Sequence, residues 1–252
     1  MSGHSKWHSI KHKKSKTDAK RGQIFSKLSQ KITIAAREGG GNPEANPTLA
    51  TAIETARSYS MPMENIKRAI AKGTGELGEG ERLEQMSFEG YGEGGVAILV
   101  EVLTDNRNRA SSEVRRVFTR AGAKLAEAGS VAWLFEKKGV VIVSKEACPN
   151  EDEILELALD FGADDVKDEG ENWEIISDVE NLRKVREGVE AAGIKVDSFE
   201  LTMVPKNTVP LDRDSARKVL RLLESLEELE DVHDVYANFD IPDDVMEEIA
   251  SA

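Results

Sequence analysis

Apolar residues fall at helical spacing over the first third of the chain. Ile24, Phe25, Leu28, Ile32 and Ala35 recur three or four apart, after Asp18, a good N-cap type, and before a stop at Gly39, Gly40 and Gly41. A second helix is predicted from Asn46-Pro47 through Leu49, Ile53 and Ala56, and a third from near Pro62 through Met63, Ile66 and Ile70 to Gly73. Three short helices form a small bundle over residues 18–75, and 73–84 reads as the linker out of it. Ahead of the bundle, Lys, His, Ser and Gly dominate around Trp7 and Ile10. So few apolar groups cannot offset the entropy of ordering, and residues 1–17 are expected to form a flexible basic arm.

Past the linker the pattern switches to strands alternating with helices. Residues 96–103 predict a strand, 108–121 a helix ended by Gly122, and 131–135 another strand. A regular series follows: strand 140–144, helix 151–161, strands 165–168 and 173–177, helix 179–191 and strand 195–203. That βαββαβ order is the split ferredoxin-like unit. Helix 215–229 and strand 232–239 remain, and they complete the strand–helix–strand set begun at residue 96. The expected fold is therefore α+β: an N-terminal three-helix domain followed by two ferredoxin-like α/β domains, one inserted in the other. The boundaries are 18–75, then 84–137 with 206–241 as a discontinuous domain, and 138–205 as the insert.

Composition narrows the function classes. With 252 residues, 39% of them hydrophobic and 32% charged, the chain is long enough and apolar enough for globular cores. Its apolar runs, such as residues 96–100, are far shorter than the ~18 residues of a membrane span. The basic start never leads into an apolar stretch, so no secretory signal is read. A lone cysteine, Cys148, leaves no internal disulfide and favours a reducing cytoplasm. Net charge is −13 overall, yet residues 1–75 carry +9, leaving −22 on the remainder. A basic module joined to an acidic body speaks to partners, not to fold.

Enzymatic chemistry finds little to work with. A nucleophile needs a positioned base, but Cys148 sits beside Pro149 in a loop, and every histidine except His233 lies in the arm. Cys148 therefore reads as a small buried or incidental residue. His4, His8 and His12 recur four apart as metal ligands on a helix might, but their neighbours are lysines and no Cys or acid joins them. No metal, cofactor or small-molecule substrate is expected. Gly90, Gly92, Gly94 and Gly95 precede a strand, whereas dinucleotide-binding glycines follow one and open a helix, so a turn is predicted here.

The basic residues are more specific. Lys20, Lys27 and Lys31 fall within roughly 40° of one another on the first helix, with Arg21 beside them, and the arm adds Lys6, Lys11, Lys13, Lys14 and Lys16. Lysines near backbone phosphates release counterions and bind in a salt-sensitive way. Trp7, with His8 and His12 nearby, is suited to stacking on unpaired bases, although it could equally dock onto the bundle. A second stripe, Arg109, Arg116 and Arg120, with Arg107 and Arg115 adjacent, suits bidentate phosphate contacts or internal ion pairs.

Several motifs then point to a family. GHSKW at 3–7, KHKK at 11–14, DAKRG at 18–22, FSKL at 25–28, FEGYGEGGVA at 88–97, TDNRNR at 104–109 and ANFDIP at 237–242 resemble the YebC/PmpR family over nearly the whole chain. The resemblance implies a helical N-terminal domain and two α/β domains, one interrupting the other. It also implies cytoplasmic, non-enzymatic proteins of gene expression, widely labelled DNA-binding transcriptional regulators. Mitochondrial relatives resemble translational activators of cytochrome c oxidase subunit I, and bacterial members resemble ribosome-associated factors that help when proline-rich nascent chains stall. Thr48 and Ala50 stand where members often carry Arg, and Ala110 where Thr is common. An acidic body would repel the flanks of a long duplex, whereas an extended arm of ~16 residues reaches ~50 Å into a ribosomal cavity. The favoured expectation is therefore an RNA- or ribosome-directed translation factor that relieves stalling at proline-rich stretches. The alternative is a DNA-binding transcriptional regulator.

Overall fold

The computed structural model describes residues 18–76, 84–241 and 245. Three helices come first: α1 (Asp18–Gly39), α2 (Pro47–Ser58) and α3 (Met63–Thr74). Their core is Leu28, Ile32, Ala35 and Ala36 from α1, Leu49, Ile53 and Ala56 from α2, and Ile66 and Ala69 from α3. Leu28, Ile32, Ala35, Leu49, Ile53, Ala56 and Ile66 are helically spaced apolar positions read from the sequence, whereas Met63, read with them, is exposed. Asn46 is buried and fixes the corner between α1 and α2. Its Oδ1 accepts from Leu49 N at 3.0 Å as the N-cap of α2, while its Nδ2 donates to Ala35 O at 2.8 Å and Gly40 O at 2.9 Å. Carbonyls at the end of α1 are satisfied by the residue that starts α2. Helices α1 and α3 approach closely through small residues: Thr33 Oγ1 donates to Ala69 O at 3.2 Å, and a Cβ on Gly73 would lie 2.4 Å from Thr33 O.

The remaining strands and helices are β1 (Glu84–Tyr91), β2 (Ala97–Thr104), α4 (Arg107–Arg120), β3 (Lys124–Ala126), β4 (Phe135–Ser144), α5 (Glu151–Asp160), β5 (Ala163–Glu169), β6 (Asn172–Ser177), α6 (Leu182–Ala191), β7 (Val196–Pro205), β8 (Val209–Pro210), α7 (Arg213–Glu227), β9 (Val232–Ala237) and β10 (Phe239–Asp240). The chain is α+β, with the helical region first and two four-stranded sheets after it. It divides into two compact units: residues 16–80 with 137–204, and residues 81–136 with the chain from 205 onward.

Within the first of these units, β4-α5-β5-β6-α6-β7 folds into a sheet of order β5-β6-β4-β7. The β4–β6 and β5–β6 ladders are antiparallel. This is the ferredoxin-like plait the series predicted. Val141, Val143, Trp173 and Ile175 face Ile154 and Ala158 of α5 and Val185 and Val189 of α6. Arg186 of α6 pairs with Glu54 of α2, and its guanidinium lies 4.3 Å from the Phe199 ring centroid. The bundle and this sheet thus share a unit.

The other unit holds a sheet of order β3-β1-β2-β9. Its helix side is built from Ile98, Val100 and Val102 of β2, Phe118 of α4, and Leu220 and Leu223 of α7. Two expectations are corrected here. Residues 131–134 are not a strand: Ala132–Leu134 is a 3₁₀ turn, Phe135 opens β4, and the short strand after α4 is β3. The glycine segment is only partly a turn, because Gly90 lies in β1, whose eight residues pair with β2 from Glu84↔Thr104 to Tyr91↔Ala97. With β1 added, the sheet has the same strand order as the plait by a different chain path. The third strand of the ordinary plait, the counterpart of β6, comes first here as β1 and joins β2 through the Gly92–Gly95 hairpin.

Candidate nucleic-acid interface

A 22-residue α1 positions the first basic stripe. Lys20, Lys27 and Lys31 sit about 10 and 6 Å apart along the axis at 1.5 Å per residue. They lie on the flank of the arc that buries Leu28, Ile32 and Ala35. Lys27 and Lys31 are half-buried, and each already has an interaction partner. The side chains of Lys20 and Arg21, and Lys6, Trp7, His8, Lys11, His12, Lys13, Lys14 and Lys16 of the arm, lie outside the described residues.

The second stripe splits. Asn106 caps α4, its Oδ1 accepting from Arg109 N at 3.1 Å, and Thr104 Oγ1 accepts from Asn106 N at 2.9 Å. Arg109 then reaches back: its Nε and Nη2 donate to the two oxygens of Asp231 at 3.0 and 2.8 Å, and Nη2 also donates to Asp105 at 2.7 Å. The bonds and charge of Asp231 raise the guanidinium pKa further above its already high value. Asp231 is buried, and its carbonyl accepts from Leu103 N at 2.9 Å. Arg109 therefore ties the start of α4 to the turn before β9. Arg107 pairs with Glu84 at 3.3 Å on the surface. Arg115, Arg116 and Arg120 are exposed on α4. The TDNRNR motif is in large part a helix cap with an ion pair.

Two arrangements were not anticipated from sequence. Glu89 of β1 is buried and accepts from the backbone N–H groups of Gly129 at 2.7 Å, Val131 at 2.6 Å and Ala132 at 2.9 Å. Burial pushes its pKa up, but these bonds, with a further one from Ser130, outweigh burial and hold it below the usual carboxylate value. It shapes the 129–132 turn, beside which Trp133 is 64% exposed. Second, a register shift between Glu101 and Val102 in the β2–β9 ladder brings Glu101, His233 and Asp234 within 4.8 Å of one another. His233 Nε2 lies 3.3 Å from Glu101, and Tyr236 also donates to that carboxylate at 3.4 Å. This is the one three-residue grouping of metal-ligand types among the described residues. Neither arrangement has a sequence signature, because both depend on strand β1 or on a bulge. Cys148, read from sequence as a small buried or incidental residue, is buried in the plait core, and burial pushes its thiol pKa up, which disfavours the nucleophilic thiolate. No helix among the described residues is long and apolar enough to cross a membrane.

A helical bundle followed by two plaits defines an α+β protein. Known proteins share this arrangement. Residues 5–76 match the TACO1/YebC protein N-terminal domain, and residues 83–239 match the TACO1/YebC second and third domain. The chain belongs to the TACO1/YebC family. A protein of Rubrobacter xylanophilus is 54% identical and one of Dictyoglomus turgidum 52% identical, each over 250 residues, covering 99% of this chain and all of the relative. Both are named probable transcriptional regulatory protein. The crystal structure of a conserved hypothetical protein, Aq1575 from Aquifex aeolicus, superposes with a TM-score of 0.80 at 50% identity, covering 93% of this chain and 96% of that one.

Proposed function

We propose that this chain is a non-enzymatic, nucleic-acid-binding regulator of gene expression working in the cytoplasm, with DNA-directed control of transcription as its leading role. The observation that carries this reading is the name shared by relatives about half identical over the full length. The charge division supports it, since +9 on residues 1–75 of a chain at −13 is suited to a phosphate backbone. A second reading, a ribosome-directed factor that relieves stalling at proline-rich stretches, rests on the same division. An acidic remainder of −22 opposes wrapping by a long duplex but not the entry of a basic segment into folded RNA.

The test is the salt dependence of binding by the full chain to duplex DNA. Changing Lys20, Lys27 and Lys31 together to Gln flattens the slope of log K against log salt by about 2 to 3, at roughly 0.9 for each phosphate no longer neutralised. An unchanged slope would return α1 to solvated surface.

A further inference from the structure

Two aromatic side chains break the polar surface of the unit that carries β1. Trp133 is 64% and Tyr91 38% exposed, among the few large hydrophobic side chains left in water. They are not loose. Trp133 Nε1 donates to Ser130 O at 3.0 Å and Tyr91 Oη to the same oxygen at 3.2 Å, so the two polar tips lie no more than 6.2 Å apart. Ser130 is itself held by the turn that Glu89 gathers through the N–H groups of Gly129, Val131 and Ala132. In the β1–β3 ladder Tyr91 pairs directly with Lys124, which is exposed, and directly opposed residues share a face of the sheet. The result is a pair of anchored rings beside an ammonium group, on a rigid support.

We infer that Trp133, Tyr91 and Lys124 form a stacking platform for unpaired bases of single-stranded RNA, a surface separate from the basic stripe of α1. Stacking needs only the faces of the rings, and every base offers a π-face. Unpaired bases are the ordinary state of RNA loops, where they stack on Tyr and Trp. A proline-rich peptide is the main competitor for an aromatic surface. Such a peptide offers carbonyls to the Trp and Tyr donors, and here both donors are occupied by Ser130 O. Lys124 favours a partner bearing phosphates over a neutral peptide. The turn adds one exposed carboxylate, Glu127, so the phosphate path runs on the Lys124 side.

This inference rests on the nucleic-acid reading above and extends it to a second surface. The test measures binding of the full chain to a labelled 12-nucleotide single-stranded RNA, to DNA of the same sequence, to a blunt RNA duplex and to a proline-rich decapeptide. Trp133→Ala weakens single-stranded RNA binding by about 5- to 150-fold, the range of 1 to 3 kcal/mol per stacked base, and leaves the duplex unchanged. Trp133→Phe, which keeps a ring and loses the donor, stays within about threefold of the parent and controls for folding. Lys124→Gln lowers the salt slope on single-stranded RNA by about 0.7. Parent binding that survives Trp133→Ala intact would overturn the platform and leave the proposed function standing, whereas a parent that binds no nucleic acid would overturn both. Trp133-dependent capture of the decapeptide, or tighter Trp133-dependent binding of the DNA strand, would overturn the assignment to RNA.

Discussion

Glu89 is an acid whose sequence context, between Phe88 and Gly90, suggests nothing but a polar position ahead of a turn. In the fold it is a buried anchor, and its energetics set a pH dependence. Its folded pKa lies below the ordinary value of about 4.3, because backbone N–H donors outweigh the opposing effect of burial. A depressed folded pKa means stabilisation that is fully present above the unfolded pKa and lost as pH falls through the folded one. Glu89→Gln replaces a charged acceptor with an amide whose NH2 faces other donors, a loss of about 2 to 4 kcal/mol at neutral pH from charge-assisted bonds. The gap in unfolding free energy between parent and variant, measured by denaturant titration at a series of pH values, should shrink on acidification below the carboxylate range. A gap independent of pH would mean that the turn holds its shape without the charge.

Within the elements, two glycines of the bundle forecast opposite signs. A methyl on Gly22 of α1 meets nothing within 4 Å, so Gly22→Ala should stabilise by roughly 0.5 to 1 kcal/mol through helix propensity alone. Gly73 of α3 has the same propensity to gain, but its Cβ would lie 2.4 Å from Thr33 O and 2.8 Å from Ala36 Cβ. Backbone cannot yield as a flexible side chain does, and forcing α3 away from α1 costs about 1 to 3 kcal/mol, which exceeds the propensity term. Thermal unfolding of the two variants should move in opposite directions; a stabilised Gly73→Ala would show that the two helices slide freely. Sequence placed Gly22 within a helix because Ile24, Leu28 and Ile32 keep the helical period, but read Gly73 as the stop of its helix, whereas α3 runs on to Thr74 and ends at Gly75. It could not see the close approach at Gly73, since that depends on Thr33, 40 positions away. The same limit explains β1 and β3. Strand β1 opens on acidic and polar residues and ends in Gly90-Tyr91, and its apolar side is only Met86 and Phe88, so alternation over residues 84–91 is faint until β2 lies beside it. Residues 131–134 mislead in the other direction: Val131 and Leu134 are apolar because they are buried in a turn, not because the backbone is extended there. The candidate site was legible to the same degree. Spacing found the arginines of α4, but only the return of the chain to Asp231 separates Arg109 in its ion pairs from the exposed Arg116 and Arg120.

For the whole molecule, charge segregation is the property that composition states outright and that any partner must answer. Residues 1–16 contribute Lys6, Lys11, Lys13, Lys14 and Lys16, half of the cationic side chains in the first 37 residues. If all five meet phosphates, deleting 1–16 lowers the salt slope by about 4 to 5 on duplex DNA, at roughly 0.9 per phosphate. On a single strand the drop is about 3 to 4, at roughly 0.7 per phosphate. Charge alone therefore separates the two targets only weakly, and Trp7 separates them better. A ring that stacks on unpaired bases has no free face to meet in a closed duplex. Trp7→Ala should accordingly weaken binding to ribosomes or structured RNA by about 1 to 3 kcal/mol and leave duplex affinity in place if the RNA reading holds. Under the transcription reading the deletion slope remains, but Trp7→Ala lowers affinity for one defined duplex and not for ribosomes. Co-sedimentation with ribosomes and duplex binding, measured at one salt concentration on the same preparations, yields both numbers. Loss of Trp7 dependence on RNA together with its appearance on a duplex would settle the role as transcriptional.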